Sequence, residues 1–282
     1  MFKTRSVLTA AFALLAASLL AACTPNANPS NSNSNTTSSP PATSAPTTEE
    51  VELFFVADTP LGFRLYPERH EVVLEGTDLE SALGELIGGV APLDPNYFNL
   101  WDARPNALIG LTHNGNDLNV DIDFGGLNVG AAGEMMAVQQ LMWTAKGLDD
   151  GLDTMTITVN GETIDTLAGH LDASVPFTLL PAHEAIAAVT IDAPLADSKV
   201  SNPVVVSGQA CTFEANVAWR LLRDNVVVDA GSTIAGEACP VRSPWTVELK
   251  NLEPGIYVFR AFELSMKDGK LVAQDTKSFV VE

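Results

Sequence analysis

Asp121 and Asp123 stand two positions apart in Leu118-Asn-Val-Asp-Ile-Asp-Phe124, and on an extended chain both carboxylates would leave the same face, about 7 Å apart. That separation overlaps the spacing of the paired acids that cleave glycosides, one giving a proton and one acting as base or nucleophile. Acids on the open face of a hairpin are, however, ordinarily solvated, and so short a segment cannot wall a sugar cleft, so no residue is assigned a catalytic role. A second acidic group, Asp149, Asp150 and Asp153, follows a helix-like stretch in Lys146-Gly-Leu-Asp-Asp-Gly-Leu-Asp153. It lacks the length and the distal glutamate of a helix-loop-helix calcium site and reads as a helix C-terminal turn with solvated acids. His70, His113, His170 and His183 lie far apart, with no second histidine or cysteine at ligand spacing, so neither a metal nor a cofactor is expected. No Gly-x-Ser-x-Gly nucleophile turn occurs. Cys211 and Cys239 are either a disulfide, which an even count in an oxidising compartment favours, or two buried thiols if their strands lie too far apart.

Aromatic side chains are the other means of contacting a ligand. Tyr97, Phe98 and Trp101 crowd one stretch after Pro92 and Pro95. A proline-rich crossing loop with large apolar groups usually packs down as core, here over the first helix; if exposed, the three side chains form a candidate binding surface.

These groups are carried by a chain of 282 residues with a formal charge of −20. Lys3 and Arg5 precede an uncharged apolar run from Val7 to Ala22 that ends in small residues, the layout of a secretion signal and shorter than the ~20 residues of a membrane-crossing helix. Leu20-Ala-Ala-Cys23 resembles the lipobox of bacterial lipoproteins, which implies cleavage after residue 22 and acylation of the Cys23 thiol. Several acyl chains hold a protein stably on a bilayer, at about 0.8 kcal/mol per buried methylene. Removal of residues 1–22 would take two basic residues and no acid, leaving a charge of about −22 that repels nucleic acid and anionic headgroups. From Thr24 to Ser44 and on to Glu50 the chain is Thr, Pro, Asn, Ala and Ser apart from Glu49 and Glu50. Residues 23–50 therefore read as a disordered tether, on the order of 30 Å long as a coil and ~90 Å when stretched. The expected location is the extracytoplasmic side of the cell membrane or outer membrane.

Beyond the tether the texture changes once. Residues 51–178 mix strand-like runs (Val51–Val56; Phe63–Leu74, interrupted at Pro67) with helical ones. Thr77 and Glu80 have capping-box spacing before Leu79, Ala82, Leu83, Leu86 and Ile87, and a helix should end at Gly88-Gly89. Asn114-Gly115 should turn a hairpin between Ala107–Thr112 and Leu118–Phe124. Gly133–Lys146 reads as a helix with a broad apolar face, and Met155–Val159 as a strand ending at Asn160-Gly161. The expected product is an α+β domain, a sheet with two helices. Pro176 to Glu184 reads as a linker, and residues 188–282 as seven short strands forming an all-β immunoglobulin-like sandwich.

The order of Val51–Val56, the Asp78–Gly89 helix, Val120-Asp121, Gln139-Gln-Leu141 and Val159-Asn-Gly161 resembles the GerMN domain of bacterial sporulation and spore-germination proteins over about 51–175. Asp123 stands where that pattern has a small hydroxyl residue. The stretch Ala193-Pro-Leu-Ala-Asp-Ser-Lys-Val-Ser-Asn-Pro-Val-Val-Val-Ser-Gly208, then Phe213-Glu-Ala215, Trp245 and Lys267-Asp-Gly269, is similar to the Gmad-type immunoglobulin-like domain of spore-germination proteins. The two resemblances imply a non-catalytic envelope protein that works through contacts with an envelope protein or peptidoglycan. A glycan-binding lipoprotein or a glycan hydrolase are the alternatives.

Overall fold

The computed structural model describes residues 46–282 other than residue 103, so the signal segment, Cys23 and the tether up to residue 45 lie outside the described residues. Residues 45–282 cluster as one unit by contact.

Strands β1 (Thr48–Thr59) and β2 (Gly62–Val73) form an antiparallel ribbon in register from Thr48↔Val73 to Thr59↔Gly62. The strand starts at Thr48 rather than Val51 because Val72 and Val73 give Thr48 and Glu49 backbone partners. The expected break at Pro67 does not occur. Pro67 lies opposite Phe54, whose N–H turns away from β2 and donates to Thr144 Oγ1 at 3.1 Å. At that pair no ladder hydrogen bond is required, so the missing proline N–H costs nothing.

Helix α1 (Asp78–Ile87) begins at a complete capping box: Thr77 Oγ1 accepts from the Glu80 N–H at 3.1 Å, and Glu80 Oε2 accepts from the Thr77 N–H at 2.8 Å. Strands β3 (Asn106–Asn114) and β4 (Asp117–Phe124) form the hairpin, with Gly115 in the left-handed region at φ 70°. Helix α2 (Ala131–Leu148) then crosses over to β5 (Thr154–Val159), which pairs in parallel with β4. Asn160 and Gly161 turn the chain, at φ 52° and 80°, into β6 (Glu162–Thr163), and β7 (Phe177–Thr178) pairs with β5.

The ribbon does not join this sheet, as a single-sheet reading would have it. Instead β1 and β2 pack on α2, and α2 is buried nearly all round rather than on one face, with Gln139, Gln140, Thr144 and Glu134 inside as well as its apolar residues. The buried Leu118, Val120 and Ile122 of β4 join the same core, while Asn119 and Asp121 face outward. The expected linker is also packed: Leu180 N–H donates to Gln139 Oε1 at 2.9 Å, and the one-turn helix α3 (Ala182–Ala185) leads into Ile186, which bridges to Leu65.

The remaining chain is all β. Strands β13 (Ser243–Leu249), β10 (Val204–Ala210) and β8 (Val189–Ala193) make one sheet. Strands β12 (Val226–Ile234), β11 (Asn216–Arg223), β14 (Gly255–Leu264), β15 (Leu271–Val281) and β9 (Ser198–Val200) make the other. The short β9, parallel to β15, is the strand missing from the sequence reading. Trp245 and Trp219 both stack with Phe259, at centroid distances of 6.3 and 5.6 Å, in a core with Leu221 and Phe279. Gly208 is obligatory there: a Cβ would fall 1.9 Å from the Thr190 carbonyl oxygen and 2.8 Å from the Trp245 ring. Cys211 and Cys239 are joined by a disulfide across 28 residues.

Candidate functional site

Strand β15 alternates strictly, and its inward parity reads Ala273, Asp275, Lys277, Phe279, Val281. Two charges on the buried face of an otherwise apolar strand are costly unless paired. Both are paired with the α+β segment. Lys277 Nζ lies 2.5 Å from Asp94 Oδ2, donates to Tyr97 Oη at 2.8 Å and sits 4.2 Å from the Tyr97 ring centroid. Tyr97 Oη in turn donates to Asp275 Oδ1 at 2.7 Å. The other Asp275 oxygen accepts the Ile191 N–H at 2.7 Å, which occupies an outward-facing amide of the edge strand β8.

The network continues inward. Glu68 of β2 accepts the Leu93 and Asp94 N–H groups at 2.8 and 2.7 Å and contacts His70 Nε2 at 3.1 Å, so it shapes the loop that presents Asp94 and Tyr97. Tyr66 stacks on Tyr97 at 4.6 Å and donates to the Gln274 carbonyl at 2.9 Å. Burial pushes the Asp275 carboxyl up to about 6 in spite of Lys277, and burial with the Asp275 charge raises both tyrosine hydroxyls. Arg242 spans the same seam, donating to the Ala187 carbonyl and Thr190 Oγ1, both at 2.5 Å; burial lowers it to about 10.

Of the sequence candidates, Tyr97 therefore serves the seam rather than a free surface. Trp101 is wholly buried, its Nε1 donating to the Ala137 carbonyl at 3.0 Å, and the half-buried Phe98 packs edge-on to Phe63 while its backbone bridges to Val56. No aromatic platform forms at 97–101, because the loop fills the gap between β1 and α2. Asp121 Oδ1 accepts from Thr158 Oγ1 at 2.9 Å and from the Gly161 N–H at 2.8 Å, tying β4 to the β5–β6 turn, while Asp123 is exposed on the same open face. In the acidic turn the Lys146 ammonium donates to the Asp150 and Leu152 carbonyls and contacts Asp153 at 3.4 Å, so the chain's own cation fills its centre.

Two family models match along the chain. Residues 52–165 match Germane, described as sporulation and spore germination, and residues 188–270 match Gmad2, the immunoglobulin-like domain of bacterial spore germination. The chain carries a Germane domain followed by a Gmad2 domain. Both are germination-related families rather than catalytic ones. No curated protein matches the chain. Among solved structures, the tandem GerMN domains of the sporulation protein GerM from Bacillus subtilis align with 11% identity over 47% of this chain and 45% of that one (TM-score 0.35), so the chain spans less than half of that structure's length. The first GerMN domain of the same protein aligns with 16% identity over 47% and 97% (TM-score 0.34), and a candidate lipoprotein from Clostridium perfringens with 19% over 46% and 87% (TM-score 0.30). Likenesses of this size carry nothing about function.

In these terms, Glu68, Asp94 and Tyr97 fall within the residues that match Germane and Ile191 within those that match Gmad2, while Asp275 and Lys277 lie on β15 just past the Gmad2 match. The signal for them in the sequence was the parity of β15, where Asp275 and Lys277 share a face with Ala273, Phe279 and Val281. Their partners, 178 and 183 residues away, left none.

Proposed function

We propose that the protein is a non-catalytic, lipid-anchored envelope protein in which the Germane domain (51–178) and the Gmad2 domain (188–282) act together as an interaction module for an envelope protein or wall polymer. The observation that carries this is the buried seam: Asp94, Tyr97, Asp275 and Lys277 join the two segments through a buried ion pair and hydrogen bonds whose short distances fix one relative placement. Domains held in this way present one composite surface rather than two independent ones. The family matches support a role in the germination-related class, and the Cys211–Cys239 disulfide supports an oxidising, extracytoplasmic location. The lipobox-like Leu20-Ala-Ala-Cys23 and the tether supply attachment and reach.

Crosslinking in the intact envelope, with photoreactive residues placed on either domain, should recover one specific protein or glycan-strand partner. Recovery of abundant neighbours alone would remove the basis for an interaction module. Replacing Cys23 with Ser should release the protein from the membrane fraction or leave its signal uncut; an unchanged membrane fraction with normal processing would refute the anchor.

A further inference from the structure

Two hollows open along the seam, with cavity volumes of about 50 and 390 Å³, and they share Glu52, Pro67, Arg69 and Asp192, so they adjoin in one groove. The larger is in the range of ligand sites, which favour domain junctions. Its floor is the half-buried Trp143 indole, propped against Phe54 at 6.1 Å, and its walls carry Glu52, Arg69, Asp192, Gln209 and Arg242.

The groups in it are unequally occupied. Arg69 is paired with Glu50 at 3.0 Å, and Arg242 is held by the Ala187 carbonyl and Thr190. Among the described residues, the Glu52 carboxylate and the Gln209 amide have no hydrogen-bond partner, and Asp192 has only Thr190 Oγ1 at 3.4 Å. Glu52 and Asp192 reach solvent yet are enclosed enough that burial raises both carboxyls, and Asp192 adds to the rise at Glu52. What lacks a close partner within the protein is thus two solvent-reaching carboxylates, one amide and the buried Trp143 Nε1–H donor.

Each candidate ligand class meets this lining differently. A phosphate polymer would face two carboxylates, and an acyl chain a polar wall. A cationic peptide would face Arg69, Arg242 and Lys146 along the same groove. A sugar ring has an apolar C–H face to lie on an indole and hydroxyls to donate to carboxylates. We propose that this groove binds a neutral glycan strand, with one ring on Trp143 and its hydroxyl and amide groups on Glu52, Asp192 and Gln209. This rests on the wall-polymer form of the function proposed above.

The test is calorimetric titration of the purified full chain with β-1,4-linked N-acetylglucosamine oligomers of four and six rings. The wild type should bind, the longer oligomer more tightly. Trp143→Ala should weaken binding by about tenfold or more. Because that change removes packing on Phe54, the accessible pair Glu52→Gln/Asp192→Asn is measured beside it and should weaken binding by a similar factor with its melting temperature held. No binding by the wild type, equal binding by both variants, or binding of an oligolysine peptide in place of the sugar would each overturn the proposal. Retention on purified sacculi separates the two levels: equal retention of wild type and variants overturns the groove and leaves the wall-polymer reading standing, whereas no retention of the wild type overturns both.

Discussion

Lys277 Nζ lies 2.5 Å from Asp94 Oδ2 with both side chains buried, and this contact ties strand β15 to a loop 183 residues earlier. Removing one member of such a pair leaves the other charge uncompensated, at a cost of about 3–5 kcal/mol. Lys277→Met should therefore lower the unfolding free energy in urea by about that amount, and Asp94→Asn/Lys277→Met should lose less than the sum of its single changes. Additivity in the double-mutant cycle would show that the two groups do not interact.

Asp275 gives the protein a pH signature. Its carboxyl holds a proton to about pH 6 in the folded state, against an ordinary value of 3.8. Between those values the folded chain binds a proton that the unfolded chain has lost, so the stability from this group is full below pH 3.8 and falls as pH rises through 6. Asp275→Asn abolishes the titration. The unfolding free energy of wild type minus variant should therefore fall between pH 4 and 6, with a slope of at most about 1.4 kcal/mol per pH unit. A difference that is constant or rises across this window would contradict the assignment.

Glu134 is a carboxylate at the first turn of α2 with no exposed surface, and its oxygens accept the Ala168, His170 and Leu171 N–H groups and contact His170 Nδ1 at 2.9 Å. Glu134→Ala would orphan those amides, each worth about 1–3 kcal/mol if left without water. Hydrogen exchange at residues 168–171 should rise by at least tenfold, while exchange in β10 and β13 stays unchanged. A uniform rise over both domains would mean global destabilisation instead.

The Cys211–Cys239 bond closes a loop of 28 residues, which in the chain-entropy model stabilises the fold by about 3–4 kcal/mol. Replacing both cysteines with Ala should lower the unfolding free energy by about that amount, and a reductant should then have no further effect. A variant as stable as the oxidised wild type would rule out the chain-entropy contribution.

Local features of the chain announced themselves well. The Thr77–Glu80 box, the Gly115 and Asn160-Gly161 turns and the alternation of β4 each depend on residues within a few positions of one another. Pro67 was misleading for the opposite reason: whether a proline breaks a strand depends on which neighbour its N–H would have faced, and Thr144 on α2 decides that. Tyr97 is buried against Tyr66 and Lys277 rather than over the first helix, and its role is not legible locally, since its partners Asp275 and Lys277 lie at the far end of the chain.

Short-range pattern by itself thus determined the long strands and both long helices, though not β9 or the one-turn α3, that an α+β segment precedes an all-β one, and that the chain is acidic. Only the tertiary structure decided that β1 and β2 form a ribbon of their own, that buried charges weld the two domains, and that Glu52, Trp143 and Asp192 line one groove. Backbone preference and hydrophobic period act over a few residues, whereas the pairing of a buried charge is fixed by whichever distant group packing brings within about 3 Å.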